Sequence, residues 1–369
     1  MPRRVPVPAL LALAGALLCG AASALAQGAE EAYRAAFSTE RLGKPPPSAA
    51  LGTEFVYGYR GAVPHAAFAV ARDAEGRSSW GWSNGLATPE AAEEVALASC
   101  RKGASPAQGE CRIIARDGAV QGAAPIAAEA GILGPFRRSP LHLWRGPQAA
   151  RGVLVWGHGY AGPDRDLRNA RTPGLAAVLN DAGYDVLRFD RPPGDDAIFA
   201  SLPRLVEALP ALRAAGYRRI VLGGQSRGGW QALMAAAAAP ELVDAVIATA
   251  PSAHGEAQRP NNLGAALEDF RRLLAGLPEK GPRVAVALFE GDDFDPDPER
   301  RALAVETLAR DRAAPLLALW PASSTEIRGH AAAGDWRFTR FFAACLLTLV
   351  QGPEAAAPRG LRRAPCGGG

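Results

Sequence analysis

The sequence predicts an α/β protein: a doubly wound, mostly parallel sheet preceded by a small α+β module. Three observations point there. From about residue 150 onward, near-continuous apolar runs alternate with amphipathic segments, the pattern of a parallel sheet covered by helices on both faces. Between about residues 53 and 122, shorter runs surround one helix-like segment and carry two cysteines. Directly after the apolar run "RIVL", four glycines crowd one serine in "GGQSRGGW", where a strand must bend hard into a helix.

The elements follow in order. "MPRR" is a positive start, "ALLALAGALLCG" a short apolar run, and "ALAQ" offers Ala24 and Ala26 to a signal peptidase. Residues 1–26 therefore read as a secretory signal peptide, with no membrane span left after cleavage and an exported, periplasmic or secreted product. "KPPPS" within 27–52 is a stiff, polar linker or extended arm. In 53–135, "HAAFAVARDAEGRSSWGWSN" places two apolar runs around "DAEG" and reads as a hairpin. "TPEAAEEVALASCRK" has a capping Thr88, Pro89 at the first helical position and early acidic residues, so it starts a helix. "GECRIIARDG" is a strand ending in a turn. This piece resembles the small cysteine-containing modules of exported bacterial proteins, on its "GWS", "ALASC" and "CRIIA" stretches; that resemblance implies no activity.

The main domain, 136–352, then runs through a regular rhythm. The strands are "GVLVWG", "DVLRFD", "RIVLGG", "VDAVIATAP", "RVAVALFEG" and "PLLALWP". The helices are "TPGLAAVLNDAGY", "LPRLVEALPALRAAGY", "RGGWQALMAAAAAP", "LGAALEDFRRLLAGL", "PERRALAVETLARDR" and "WRFTRFFAACLLTLV". Residues 353–369 form a Pro/Gly-rich tail with little reason of its own to be ordered. Composition is ordinary for a globular chain, 48% hydrophobic and 21% charged, with a net charge of +4 to which Arg3 and Arg4 contribute. No clustered basic patch suggests nucleic acid as a partner. Beyond the leader stand Cys100, Cys111, Cys345 and Cys366, an even number in an exported chain; proximity pairs Cys100 with Cys111 and Cys345 with Cys366. No cysteine–histidine spacing suits zinc, so no metal is expected and no cofactor is implied.

Sites on parallel sheets lie at the carboxyl ends of the strands. There the pattern Gly224-Gln225-Ser226-Arg227-Gly228 sits between a strand and a helix, the context in which G-x-S-x-G holds a nucleophilic serine. A serine needs a base. Of five histidines, only His330 follows the last strand, next to Gly329 in "EIRGHAAAGDW". His158 in "WGHGY" suits a structural brace, His254 in "PSAHGE" could line the substrate pocket, and His65 and His142 are ordinary. The third member must orient the imidazole. "FEGDDFDPD" offers Asp292, Asp293, Asp295 and Asp297; Asp292 ranks first, then Asp295 and Asp293, and those not used belong to a solvated, helix-capping acidic loop. An oxyanion hole is expected from the amides of Arg227 and Tyr160, with Gly159 letting substrate approach.

These residues together resemble the α/β-hydrolase superfamily over about 150–350, and most of all its compact esterase- and dienelactone-hydrolase-like members. The resemblance implies acyl transfer to water through an acyl-enzyme on Ser226. The short stretch between "VIATAP" and "RVAVAL" leaves no room for a large lid and favours an open pocket. The expected substrate is a small-molecule ester or a peptide-like compound. A peptidase or amidase on the same residues is one alternative, and a catalytically silent cell-surface binding protein is another. Nothing in the sequence sets the oligomeric state.

Overall fold

The computed structural model describes residues 48–120, 132–139, 142–160, 162, 166–168, 170–192, 198–255, 265–295 and 297–366. The expected signal peptide and most of the expected arm lie outside the described residues.

The chain enters as a helical run, Ala49–Thr53 continuing through Glu54–Gly58 and Tyr59–Gly61. A small antiparallel sheet follows. Its strands are β1 (Ala67–Arg72), β2 (Ser78–Trp82), β3 (Arg112–Arg116) and β4 (Ala119–Val120), in the order β2-β1-β3-β4. Helix α1 (Pro89–Gly103) starts where the Thr88 hydroxyl accepts the Ala91 amide at 3.2 Å. The alternation of β1 sorts its side chains between two cores. Ala67, Ala69 and Ala71 face α1 with Ala92, Ala96 and Cys100. Phe68 and Val70 face Leu51, Phe55 and Tyr59 of the helical run. Small residues let α1 lie close, and a Cβ on Gly81 would stand 2.4 Å from the Cys100 amide nitrogen. Cys100 and Cys111 are joined, with Cα atoms 6.1 Å apart.

The large sheet holds β5 (Ile132–Leu133), β6 (Phe136–Arg138), β7 (Gly152–Gly157), β8 (Tyr184–Phe189), β9 (Ile220–Gln225), β10 (Ala245–Thr249), β11 (Arg283–Ala287), β12 (Leu316–Leu319) and β13 (Gly360–Arg362). Their order is β13-β12-β11-β10-β9-β7-β8-β6-β5. Every pairing from β8 across to β13 is parallel, while β6 runs antiparallel to β8 and β5 to β6. The fold is that of the α/β hydrolases.

Successive residues on a strand serve opposite faces. Val153 and Val155 belong to the core under α3 (Ile198–Ala215), α4 (Arg227–Ala238), α5 (Ala266–Ala275) and α6 (Pro298–Asp311). Leu154 and Trp156 belong to the core under α2 (Gly174–Asp181) and α7 (Trp336–Gln351). The chain passes from β7 to β8 on one side and then to β9 on the other. That reversal opens a crevice at the carboxyl ends of β7 and β9.

Several features were not foreseen. β5 and β6 pair at the edge of the large sheet, although β5 falls within 53–135, the stretch expected to form the small module. Helix α3 starts at Ile198 and runs through Pro203 and Pro210; both prolines are on its exposed side, where a missing helical hydrogen bond costs least. The tail is held over residues 353–366, as the expected Cys345–Cys366 pair implies, and what the sequence did not suggest is its strand. β13 pairs in parallel with β12, and Cys366, bonded to Cys345, is buried beside Leu346.

Candidate active site

Ser226 closes β9 at φ 56° and ψ −123°, a left-handed conformation unusual for a residue with a side chain. The surroundings hold it there. The Ser226 amide donates to the Thr249 carbonyl at 2.9 Å, and its carbonyl accepts from the Trp230 and Ser252 amides at 3.0 and 3.2 Å. The glycines make the turn sterically possible. A Cβ on Gly224 would lie 2.3 Å from the Gly228 carbonyl carbon, and one on Gly228 would lie 2.3 Å from the Gly157 oxygen. Strand β9, helix α4 and the end of β7 are thus pressed together at one point, with Ser226 on top and 6% exposed.

The loop after β7 lies over the same turn. A Cβ on Gly159 would stand 3.3 Å from the Ser226 Cβ. The His158 ring is buried and braces this loop: Nε2 accepts the Arg191 amide at 2.9 Å, and Nδ1 lies 2.7 Å from the Gly159 carbonyl oxygen. The Arg227 guanidinium carbon lies over the Tyr160 ring, 3.6 Å from its centroid.

The acidic loop after β11 separates its four aspartates by environment. Asp292, just past Gly291 at φ 68°, puts Oδ1 2.7 Å from His330 Nδ1. The same oxygen accepts the Phe294 amide at 2.8 Å. Asp292 is 1% exposed and His330 18%. Asp293 is exposed. Asp295 is buried, 3.1 Å from the buried Arg301, and desolvation pushes its carboxyl up to about 6 against the pull of that arginine. Asp297 caps α6, accepting the Arg300 amide at 3.2 Å.

His330 is tethered on several sides. Gly329, at φ 82°, lets the chain turn, and its amide donates to the Glu290 carbonyl at 2.8 Å. The Phe294 ring lies 4.2 Å from the imidazole centroid. Gln225, the residue before Ser226, donates through Nε2 to the His330 carbonyl at 3.0 Å. No sequence signal marks that bond, because it depends on two loops meeting in space. His330 Nε2 is buried and has no hydrogen-bond partner among the described residues.

The other histidines lie apart from this pair. His254 bonds to Asp269 of α5 at 2.8 Å and meets the Trp230 ring edge-on at 5.2 Å, so its Nε2 faces the helices. His65 pairs with Asp117 in the small module. His142 is bonded to Ser139, and burial holds it well below the ordinary histidine range. No cluster of three or more metal-ligating side chains occurs among the described residues.

Residues 152–295 match the family model described as alpha/beta hydrolase fold. No curated protein matches the chain significantly. Solved structures of similar fold include a prolyl endopeptidase, 17% identical over 56% of this chain and 35% of that one, with a TM-score of 0.39. The chain thus spans about a third of that protein's length. Another is a truncated carbohydrate esterase from gut microbiota, 13% identical over 56% of this chain and 86% of that one, at 0.41. A third is the dienelactone hydrolase of Anabaena variabilis, 22% identical over 44% of this chain and 71% of that one, at 0.30.

Proposed function

We propose that this chain, an α/β hydrolase by fold, is an exported serine hydrolase that cleaves carboxylic esters through an acyl-enzyme on Ser226. One observation carries the reading. His330 is bonded to Asp292 through Nδ1, its Nε2 is left without a partner among the described residues, and its carbonyl is tied to the residue next to Ser226.

The chemistry follows from that arrangement. An ionised carboxylate only accepts, so the imidazole carries its proton on Nδ1 and offers the Nε2 lone pair. As Ser226 Oγ bonds to the carbonyl carbon, its proton passes to Nε2. Asp292 stabilises the imidazolium that results. The carbonyl electrons move to an oxyanion, received by the amides of Arg227 and Tyr160; each such donor is worth about 3 kcal/mol in the transition state. The C–O bond to the alcohol breaks as Nε2 returns the proton to the leaving oxygen. Water then repeats the cycle in reverse, releasing the acid and restoring Ser226.

Export is supported by the leader-like start and by the two disulfides. No helix among the described residues is long and apolar enough to cross a membrane.

The test is a fluorophosphonate probe on the purified protein, followed by peptide mapping and a panel of p-nitrophenyl esters and matched anilides. Covalent label on Ser226 and turnover of esters are expected. Faster turnover of the anilides would reassign the enzyme as an amidase, and absence of label would make it a silent member of its fold.

A further inference from the structure

One side chain, that of Arg171, links the small sheet to the loop that carries His330. Arg171 lies between β7 and α2. Its Nη2 donates to the Gly334 carbonyl at 2.6 Å. Gly334 ends a single helical turn, Ala332–Gly334, in which its amide bonds back to the Ala331 carbonyl at 2.9 Å and the Ala332 amide to the Gly329 carbonyl at 3.1 Å. His330 stands inside that knot. A Cβ on Gly334 would lie 2.6 Å from Arg171 Nη2, so the guanidinium sits flush against the backbone.

The other side of Arg171 belongs to the small module. Its guanidinium carbon lies 4.9 Å from the Trp82 ring centroid on β2. The Trp82 indole donates to Glu54 Oε1 at 2.8 Å. Glu54 is buried in the helical run and attracts Arg171 electrostatically, which opposes the upward push of burial on its carboxyl. Beside it, the Thr172 amide donates to the Gly61 carbonyl at 3.1 Å, and Arg60 bonds to Asn180 and Asp181 of α2. The 170–173 segment is therefore held between the module and the His330 turn.

We infer that Arg171 is a positioning residue for His330, and that Trp82 and Glu54 hold it in place, making the N-terminal module part of the catalytic scaffold. Three tethers then fix the His330 turn: Glu290 at its start, Gln225 toward the serine, and Arg171 at its end. The inference rests on the serine-hydrolase reading above. Its physical content is that small displacements of a general base cost rate while leaving substrate affinity nearly intact.

The test uses the full protein, a p-nitrophenyl butyrate assay for kcat and KM, and fluorophosphonate labelling to count active sites. Arg171→Ala is expected to lower kcat per labelled site by about 10- to 100-fold, with KM changed by less than about threefold. Arg171→Lys should recover little, because an ammonium has no planar fork to lie between an indole and a carbonyl. Trp82→Phe keeps an aromatic face but loses the indole donor to Glu54, so it should lie between wild type and Arg171→Ala, while Trp82→Leu should fall the rest of the way. The double variant Arg171→Ala/Trp82→Leu should be no slower than Arg171→Ala alone, since both remove one tether. Wild-type kcat per site in Arg171→Ala, or multiplicative losses in the double variant, would overturn the inference. If Arg171→Ala does not fold, Trp82→Leu against Trp82→Phe decides by the same ratio. A wild-type protein that takes no label at all would instead remove the serine-hydrolase reading beneath it.

Discussion

Gly228 has no room for a methyl group. With the Gly157 oxygen 2.3 Å from where a Cβ would stand, Gly228→Ala must push β7 and α4 apart. That overpacking should cost about 1–3 kcal/mol in urea unfolding and should also reduce labelling of Ser226, because the elbow itself shifts. Ser226→Ala is the contrasting change. It removes one hydroxyl and no core packing, so the melting temperature should hold while ester turnover falls by about 10⁴- to 10⁶-fold. Turnover near the wild-type rate in Ser226→Ala would falsify the assignment of the nucleophile. The elbow is legible in sequence because its requirement is local: glycines at fixed offsets from the serine, a strand before and a helix after. The acid is less so. Four aspartates within six residues have the same chemistry on paper, and what distinguishes Asp292 is a 2.7 Å bond to a residue from another loop.

At the scale of the element, the acidic turn after β11 is built on a buried ion pair. Arg301 of α6 donates to the Pro251 carbonyl at 2.8 Å and approaches Asp295, so one guanidinium joins the loop after β10 to the loop after β11. Asp295 Oδ2 is buried with no hydrogen-bond partner among the described residues, which is why desolvation dominates its titration. Its folded value of about 6 lies above the ordinary value of 3.8, so between those pH values the folded state binds more protons than the unfolded one. Stability from this group is full below about pH 4 and is lost as the pH rises through about 6. Asp295→Asn should remove that slope. The expected sign is a wild type that weakens relative to the variant between pH 4 and 7, by on the order of 2 kcal/mol, read from urea midpoints at the two pH values. The constant cost of leaving Arg301 without its counter-charge does not alter the slope. Helices and long strands of this region are legible from their periods. β5, β6 and β13 are not, since two or three residues contain too little pattern to distinguish a strand from a turn.

Across the whole molecule, the alternation of apolar runs and amphipathic helices is enough to read the doubly wound class, because each βα unit repeats one requirement. The spatial order of strands is not written in that alternation; it arises from which crossovers pack, and so the pairing of β6 beside β8 emerges only in three dimensions. The role of the N-terminal module was likewise invisible, since Trp82, Arg171 and Gly334 are far apart in the chain. The cysteines were more informative: both expected pairs form, at Cα separations of 6.1 and 5.6 Å. The second pair has a consequence for association. β12 is the last strand but one of the large sheet, and the ladder groups on its outer side are met by a strand of only three residues, with the Trp320 amide donating to the Arg362 carbonyl at 3.0 Å. That last strand is anchored at its far end by Cys366. The disulfide therefore helps to hold the covering strand over that edge, and loss of the bond is expected to loosen it. In Cys366→Ser, which leaves the Cys100–Cys111 bridge intact, the protein should keep its elbow and its hydrolytic rate at high dilution. Light scattering should show it becoming self-sticky as its concentration rises, with an affinity for extended peptide that the wild type lacks.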